Sequence, residues 1–247
     1  MIEILQWSTL IVCGAAALSR IPNLVRRKNR SMFYVLALMT LATLLSIKGP
    51  YLVIDGLLGG TNLANLLLRF IIFGAIYFLG IRIANGFGDE RGMRLIRGHA
   101  GSVFLALISA ALLVLFAMMD TEGSSAGMAT VSIKDERNGM LVEYYGAAGR
   151  AYPAYVCLVL LPAMLRAVRS TLPALLRISA LLLAIGGLAV ALSVLFPVVP
   201  PAIGFVEFVI NYTAILCFVV GLALIWVAKV RAGRGARDRV ERPAARR

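Results

Sequence analysis

Long uninterrupted apolar runs recur along this chain, and they restrict the folds that it can adopt. Each run is about 20 residues long, the length an α-helix needs to cross roughly 30 Å of hydrocarbon. The composition agrees, because 60% of the 247 residues are hydrophobic and only 15% are charged, whereas a soluble domain carries about 25% charged residues. We therefore predict an all-α polytopic membrane protein with a bundle of seven transmembrane helices. The predicted helices span 2–19, 32–51, 62–84, 100–119, 145–168, 174–196 and 202–228.

The charged residues between the apolar runs predict how the bundle is oriented. The first, third and fifth loops and the C-terminal segment carry most of the Lys and Arg residues, whereas the alternate loops carry most of the acidic ones. The positive-inside rule then places the N-terminus outside and the C-terminus in the cytoplasm. We expect a multi-pass protein of a bacterial plasma membrane, with a transmembrane domain over 1–229 and a basic cytoplasmic tail over 230–247.

The net charge of +13 is explained by contact with the lipid bilayer. Basic loops and a basic tail attract the anionic lipids of the cytoplasmic leaflet, and the tail is also a candidate docking segment for a membrane or cytoplasmic protein partner. Nucleic-acid binding is not expected, because no basic face with interleaved aromatic residues lies outside the apolar runs.

One sizeable polar segment interrupts the pattern, the loop 120–144, which this orientation places outside the cell. Two short stretches, 129–133 and 140–145, flank the pair Asn138-Gly139. Since an Asn-Gly pair favours a tight hairpin turn, the loop is predicted to form a small β-hairpin. Pro50, near the end of the second helix, is expected to end or kink that helix.

Polar and charged residues also lie within or beside the predicted spans. Charges in a bilayer are costly and usually face a protein interior or a water-filled cavity. These residues fall in the outer half of the membrane, several of them at helical spacings that share one face. We predict a pocket that opens to the outside, with Arg69 and Arg150 balanced by the acidic members of the set. The candidate ligand-pocket residues are Lys48, Tyr51, Asp55, Asn62, Asn65, Arg69, Glu143, Arg150, Glu207 and Asn211.

This polar cluster has three interpretations. It recognises a ligand or partner in a sensor or accessory subunit, because arginine suits carboxylate and phosphate groups; it lines the pathway of a small-molecule transporter; or it forms interhelical ion pairs in a structural membrane scaffold. A transporter needs a polar route that continues below Arg69, a sensor is sealed there, and a scaffold pairs Arg69 and Arg150 fully. Recognition by a non-enzymatic protein is the leading prediction.

Enzymatic roles find little support in the sequence. The chain has one histidine, His99, and no cluster with the ligand spacing of a metal site, so no catalytic residue, metal or cofactor is predicted. The stretch Gly86-Phe-Gly-Asp89 matches the Gly-x-Gly-Asp of intramembrane aspartyl proteases, but that chemistry needs a second carboxylate, and the first loop offers none. A retinal protein needs a buried lysine in the seventh helix, whose one lysine, Lys229, lies at its cytoplasmic end.

Two stretches of the chain resemble a known group of proteins. The first follows the basic first loop and runs from Ile47-Lys-Gly-Pro-Tyr through Asp55 to Leu58-Gly-Gly-Thr-Asn-Leu-Ala-Asn-Leu-Leu-Leu68; the second joins Tyr152, Tyr155, Arg166 and Arg177. Both are similar to actinobacterial seven-helix integral membrane proteins described as transporters or as proteins of unknown function. The resemblance implies a seven-helix fold for nearly the whole chain, whereas a transport role would rest on analogy alone.

Overall fold

A computed structural model describes residues 2–22, 30–199 and 205–244. Within these ranges the chain is helical and forms no β-strand, as the all-α prediction requires. Five helices are long and apolar enough to cross a membrane, and a bent pair of helices, Phe33–Ser46 with Lys48–Leu57, adds a sixth crossing if it counts as one span. The five are Leu63–Gly86, His99–Met118, Glu136–Val168, Ala174–Val198 and Phe205–Ile225. The chain is therefore a multi-pass membrane protein in fold, with a shorter apolar helix at Gln6–Leu18.

The helices are numbered here in chain order. They are α1 (Ile2–Leu18), α2 (Arg30–Ser46), α3 (Lys48–Leu57), α4 (Leu63–Gly86), α5 (Glu90–Arg97), α6 (His99–Met118), α7 (Ala129–Ser132), α8 (Glu136–Val168), α9 (Ala174–Leu192) and α10 (Phe205–Ala244). Short 3-10 turns at Ala126–Met128 and Ser193–Val198 precede α7 and follow α9.

The second apolar run breaks into two helices at Ile47. This residue is extended, with φ −86° and ψ 126°, and α3 leaves α2 at an angle of 92°. Pro50 is the third residue of α3, in the first turn, where its missing N–H costs no helical hydrogen bond. The helix that was predicted to reach residue 51 therefore ends at Ser46, and the residues up to Leu57 form a separate short helix.

The β-hairpin predicted within 120–144 does not form, and that prediction was wrong. Asn138-Gly139 lies in the first turn of α8. The carboxylate of Asp135 caps this helix, because Asn138 donates to it from its backbone N–H at 2.6 Å and from its side-chain Nδ2 at 2.8 Å. A cap residue placed three positions before Asn138 starts a helix, and it outweighs the turn preference of the Asn-Gly pair.

Helix α8 lies at the centre of the bundle and packs on α4, α5, α6 and α9. Its inner face joins one apolar core with α4, to which Phe73 and Tyr152 both belong. The two helices approach closely at Gly80, where a β-carbon would lie 2.6 Å from the Val156 side chain. Small residues permit such contact between membrane helices.

The remaining helices pack around this centre. Helix α1 packs on α2, α2 packs on α4, and α10 packs on α9. Helix α10 continues to Ala244, so the segment predicted as a basic tail over 230–247 is helical up to that residue. The basic residues at 23–29 of the first loop, the proline turn at 200–204 and the last residues, 245–247, lie outside the described residues.

Candidate functional site

The carboxylate of Asp55, near the end of α3, caps the helix that follows. Its Oδ2 accepts a hydrogen bond from the backbone N–H of Asn62 and its Oδ1 from that of Ala64, both at 2.9 Å, and the Ser124 hydroxyl also donates to Oδ2. The first N–H groups of a helix lack partners within it and attract negative charge. This fully buried carboxylate is therefore used to close the α3–α4 turn, not to balance an arginine.

Asn62 uses every hydrogen-bonding position of its side chain. Its Oδ1 accepts from the Tyr51 hydroxyl at 2.9 Å and from the backbone N–H of Ser125 at 3.0 Å. Its Nδ2 donates to the backbone oxygens of Thr121 at 3.0 Å and Gly123 at 2.9 Å. The residue is left-handed, with φ 58°, a conformation that asparagine tolerates better than most residues do.

These contacts define the Asp55–Asn62 network, made of the side chains of Tyr51, Asp55, Asn62 and Ser124 and the backbone of 121–125. The network ties the α3–α4 turn to the loop that follows α6, which lies about 60 residues further along the chain. The Asp55 carboxylate accepts three hydrogen bonds, and the Asn62 side chain has all four of its own. Three of the predicted pocket residues, Tyr51, Asp55 and Asn62, therefore hold two parts of the protein together and do not line an open pocket.

Arg69 and Arg150 lie deeper, where α4 faces α8. Arg69 is seven residues beyond Asn62, about 10 Å further along α4 at 1.5 Å per residue. Its side chain crosses the backbone of Gly149, and its guanidinium carbon lies 5.5 Å from the centre of the Tyr145 ring. The Arg150 guanidinium carbon lies 4.8 Å from the centre of the Phe196 ring. Aromatic rings thus accompany both cations.

Neither guanidinium has an acidic partner within the described ranges. No carboxylate of the described residues lies within 4.0 Å of Arg69 or Arg150, and the Nε atom of each is buried without a hydrogen-bond partner in the protein. Glu207, half-buried in the first turn of α10, acts on Arg150 only from a longer range, and Arg69 opposes Arg150 with the same sign of charge. Each half-buried guanidinium is thus left with one buried N–H group whose hydrogen bond is unmet, a costly arrangement.

Two neutral polar groups with unused hydrogen-bonding capacity lie beside the arginines. The Oδ1 atom of Asn65 is buried and accepts no hydrogen bond from the described residues, and the buried hydroxyl of Tyr145 interacts with Arg69 without forming a well-aligned hydrogen bond. Asn65 is one helical turn from Arg69 on α4, and the Tyr145 ring is the one beneath the Arg69 guanidinium. We call Asn65, Arg69, Tyr145 and Arg150 the arginine site. Its chemistry is that of an anion-recognition site, because the two arginines supply charged donors, Asn65 adds a polar group and the Tyr145 ring lies beneath Arg69.

An aromatic layer closes the bundle below the arginine site. Ring centres of Phe73 and Tyr152 lie 5.4 Å apart, those of Tyr152 and Tyr155 lie 6.3 Å apart, and Tyr155 stacks on Phe104 at 4.6 Å. Phe73 and Tyr152 are almost completely buried. Arg166 and Asp89 form an ion pair at 3.1 Å. This pair lies on the far side of the aromatic layer from the arginine site, near the C-terminal ends of α4 and α8.

The structure brings together only part of the predicted pocket. Lys48, Glu143 and Asn211 are exposed and belong to neither the Asp55–Asn62 network nor the arginine site. The predicted balance of Arg69 and Arg150 by Asp55, Glu143 and Glu207 does not occur as ion pairs, since Asp55 is bound by backbone N–H groups and the other two lie beyond 4.0 Å.

Sequence reasoning missed the loop residues that complete the Asp55–Asn62 network and the tyrosine that belongs to the arginine site. Ser124, Ser125 and the backbone of 121–123 bind the α3–α4 turn, and Tyr145 underlies Arg69. A pair of serines in a glycine-containing loop carries no signal of its own. Tyr145 carries no such signal either, because it precedes Arg150 by five residues and a helix places neighbours on one face at spacings of three or four.

The described residues contain no group of three or more His, Cys, Asp or Glu side chains that could hold a metal ion. Compared with family models, with curated proteins and with solved structures, the chain matches none of them. The resemblance to the actinobacterial seven-helix proteins therefore stays a prediction, and the chemistry of the arginine site is argued from its geometry.

Proposed function

We propose that this chain is a non-enzymatic integral membrane protein, a sensor or an accessory subunit, that recognises an anionic group of a small molecule or protein partner at the arginine site. The observation that carries the proposal is that Arg69 on α4 and Arg150 on α8 repel each other electrostatically and that each has a buried Nε atom without a hydrogen-bond partner in the protein. A buried donor without a partner is destabilising, so a carboxylate or phosphate that accepts from both guanidinium groups would satisfy donors that the fold leaves unused.

The same observation weighs against a purely structural role. A scaffold held together by interhelical ion pairs would place carboxylates against both arginines, and within the described ranges neither has one within 4.0 Å. A transporter would need polar groups continuing past the arginine site. Below that site the bundle is filled by Phe73, Tyr152 and Val156, all almost completely buried, and the one polar side-chain atom among them is the buried hydroxyl of Tyr152. Packing of this kind favours recognition over passage through the bundle.

The orientation is part of the proposal. We count the bent pair α2–α3 and the short apolar helix α1 as crossings beside the five long spans, which gives the seven-helix bundle that we propose. With the basic loops and tail in the cytoplasm, the N-terminus is outside and the Asp55–Asn62 network lies on the outer side of the arginine site. The ligand then enters from outside the plasma membrane and passes beside the loop that follows α6.

Co-purification from native membranes tests this proposal. The full chain and its Arg69→Gln variant are purified in mild detergent, and the bound small molecules and proteins are identified by mass spectrometry. We expect an anionic ligand or an acidic partner with the wild type and a loss of about tenfold or more in the variant, the scale of one or two charge-assisted hydrogen bonds.

The matched control is Arg169→Gln, which removes the same charge from an exposed position at the end of α8. It should retain the bound species at the wild-type level. Equal recovery of every anionic species from wild type and Arg69→Gln, with both proteins folded, would contradict the proposal.

A further inference from the structure

A second basic site lies at the other end of the bundle, in a cleft between α5 and α8. The cleft has a volume of about 660 Å³ and is lined by Arg91, Arg166 and the carboxylate of Asp89. The rest of its lining is mainly apolar and includes Leu95, Leu158, Val159 and Pro162. It opens where α4 and α8 end and where α5 carries its arginines. The positive-inside rule places this end on the cytoplasmic side.

The two arginines at the mouth have donors to spare. Arg166 gives one Nη2 hydrogen bond to the buried carboxylate of Asp89 at 3.1 Å and its Nε–H to the Pro162 backbone oxygen at 3.3 Å. Three of its five N–H groups remain, and its side chain is 71% exposed. Arg91 is exposed, and no carboxylate of the described residues lies within 4.0 Å of it.

Asp89, the residue that precedes α5, holds Arg166 in position through the hydrogen bond to its carboxylate. It is 6% exposed and lies so close to Gly92 that a β-carbon there would overlap its carboxylate. One carboxylate thus anchors one of the two arginines, and the mouth of the cleft keeps a positive charge. Two arginines alone would be enough to bind a soluble anion, so the apolar part of the cleft decides which ligand it suits.

The rest of the cleft is apolar and runs along α8. From Arg166 to Tyr155 is eleven residues, or about 16 Å of helix. Leu158, Val159 and Pro162 line this length, and Tyr155 closes its deep end, where the hydroxyl donates to the Leu95 backbone oxygen at 2.9 Å. A groove of this length suits part of an acyl chain.

We infer that the cleft binds an anionic phospholipid, with its phosphate at Arg91 and Arg166 and an acyl chain along Leu158 and Val159. The cleft is arranged like a lipid molecule. Its two arginines lie where α8 ends, at the level of a head group, and its apolar lining extends from there towards the bilayer centre, as an acyl chain does. Basic pockets between membrane helices on the cytoplasmic side are suited to anionic head groups. This site is separate from the arginine site and does not depend on it.

Native mass spectrometry of the delipidated full chain in detergent tests the inference. The protein is offered dioleoylphosphatidylglycerol and dioleoylphosphatidylcholine at equal concentration, and the retained adducts are compared. We expect the anionic lipid to be retained several-fold over the zwitterionic one. The preference should fall about tenfold in Arg91→Gln, the scale of one charge-assisted hydrogen bond, and stay unchanged in Arg169→Gln, an exposed arginine of the same helix end that does not line the cleft.

Two further arms separate the sources of binding. Leu158→Trp should reduce retention by filling the groove while leaving both arginines in place, and sn-glycerol 3-phosphate, which lacks acyl chains, should not compete at the concentration of the lipid. Equal retention of the two lipids, equal losses in Arg91→Gln and Arg169→Gln, or full competition by glycerol 3-phosphate would each overturn the lipid site. Arg69→Gln should keep the lipid preference, so failure here is distinguishable from failure of the proposed function.

Discussion

The side chain of Arg69 lies across the backbone of Gly149, so that a β-carbon on Gly149 would come within 2.9 Å of its Cδ and 3.0 Å of its Nε and Nη1 atoms. The absence of a side chain at Gly149 is what admits a charged helix residue into the α4–α8 contact. The arginine site therefore depends on a glycine that precedes Arg150 by one position.

Gly149→Ala should displace the Arg69 guanidinium without removing its charge. Replacing a mid-helix glycine with alanine normally stabilises by about 0.5–1 kcal/mol, and we expect this gain to be cancelled or reversed here because the new methyl group contacts Arg69. Thermal unfolding in detergent and the co-purification assay measure the two consequences, stability and ligand retention.

Gly56→Ala is the matched control for that substitution. Gly56 lies inside α3, and a β-carbon there would meet nothing within 4 Å, so this variant should gain the usual helix stability and retain the ligand. Equal stabilisation of both variants, with ligand retained in both, would show that Arg69 is not held by Gly149.

Asn62→Ala should be among the most destabilising single changes in the chain. It removes four hydrogen bonds, two of them buried and two partly buried. It also leaves the Tyr51 hydroxyl without its acceptor and forces alanine into a left-handed conformation, so a loss of about 3–5 kcal/mol is expected. Asn62→Gly keeps the backbone conformation at low cost and should lose about 1 kcal/mol less. Chemical denaturation gives the difference, and amide exchange should rise in residues 121–125.

The Asp120–Lys134 ion pair, in the loop between α6 and α8, should make the stability of the protein depend on pH. Lys134 lies 2.8 Å from the Asp120 carboxylate and, by hydrogen bonding, holds the pKa of Asp120 below its usual value of 3.8. Because the folded pKa is the lower one, the contribution is present above pH 3.8 and is lost as the pH falls through the folded pKa. Unfolding midpoints measured between about pH 2 and 6 should show this loss in the wild type, and Asp120→Asn should remove that component of the pH dependence.

The proposed orientation predicts which loops face the outside. In a chain whose three cysteines are replaced with alanine, Glu122→Cys in the loop after α6 should react with a membrane-impermeant maleimide on intact cells. Arg94→Cys in α5 should react only after permeabilisation. Both positions are exposed, so access to the reagent does not limit either reaction, and the reverse pattern would invert the bundle.

Local patterns predicted the helices better than the connections between them. Apolar length is a property of a continuous segment, so the spans at Leu63–Gly86, His99–Met118 and Ala174–Val198 were predicted close to their actual bounds. The hairpin at Asn138-Gly139 failed because the Asp135 cap and the contact from Asp120 outweighed the turn preference. The second helix ended early because Pro50 can occupy the first turn of a new helix.

For the candidate site, too, the sequence predicted which residues are present but not which residues surround them. The presence of Arg69 and Arg150 inside apolar runs is visible in the sequence, since a charge in a span is exceptional. Their environment was not visible, because the acidic residues expected to balance them had other partners or lay too far away. Asp55 is bound by the N–H groups of α4, and Glu143 is exposed.

What the sequence by itself determined is the class of fold and the presence of two arginines at membrane depth, because span length and charge placement are read from neighbouring residues. Only the tertiary structure decided that Asn62 binds a loop about 60 residues away and that no carboxylate of the described residues lies within 4.0 Å of Arg69 or Arg150. Hydrogen bonds and ion pairs act over about 3–4 Å, and no spacing along the chain specifies which distant groups come that close.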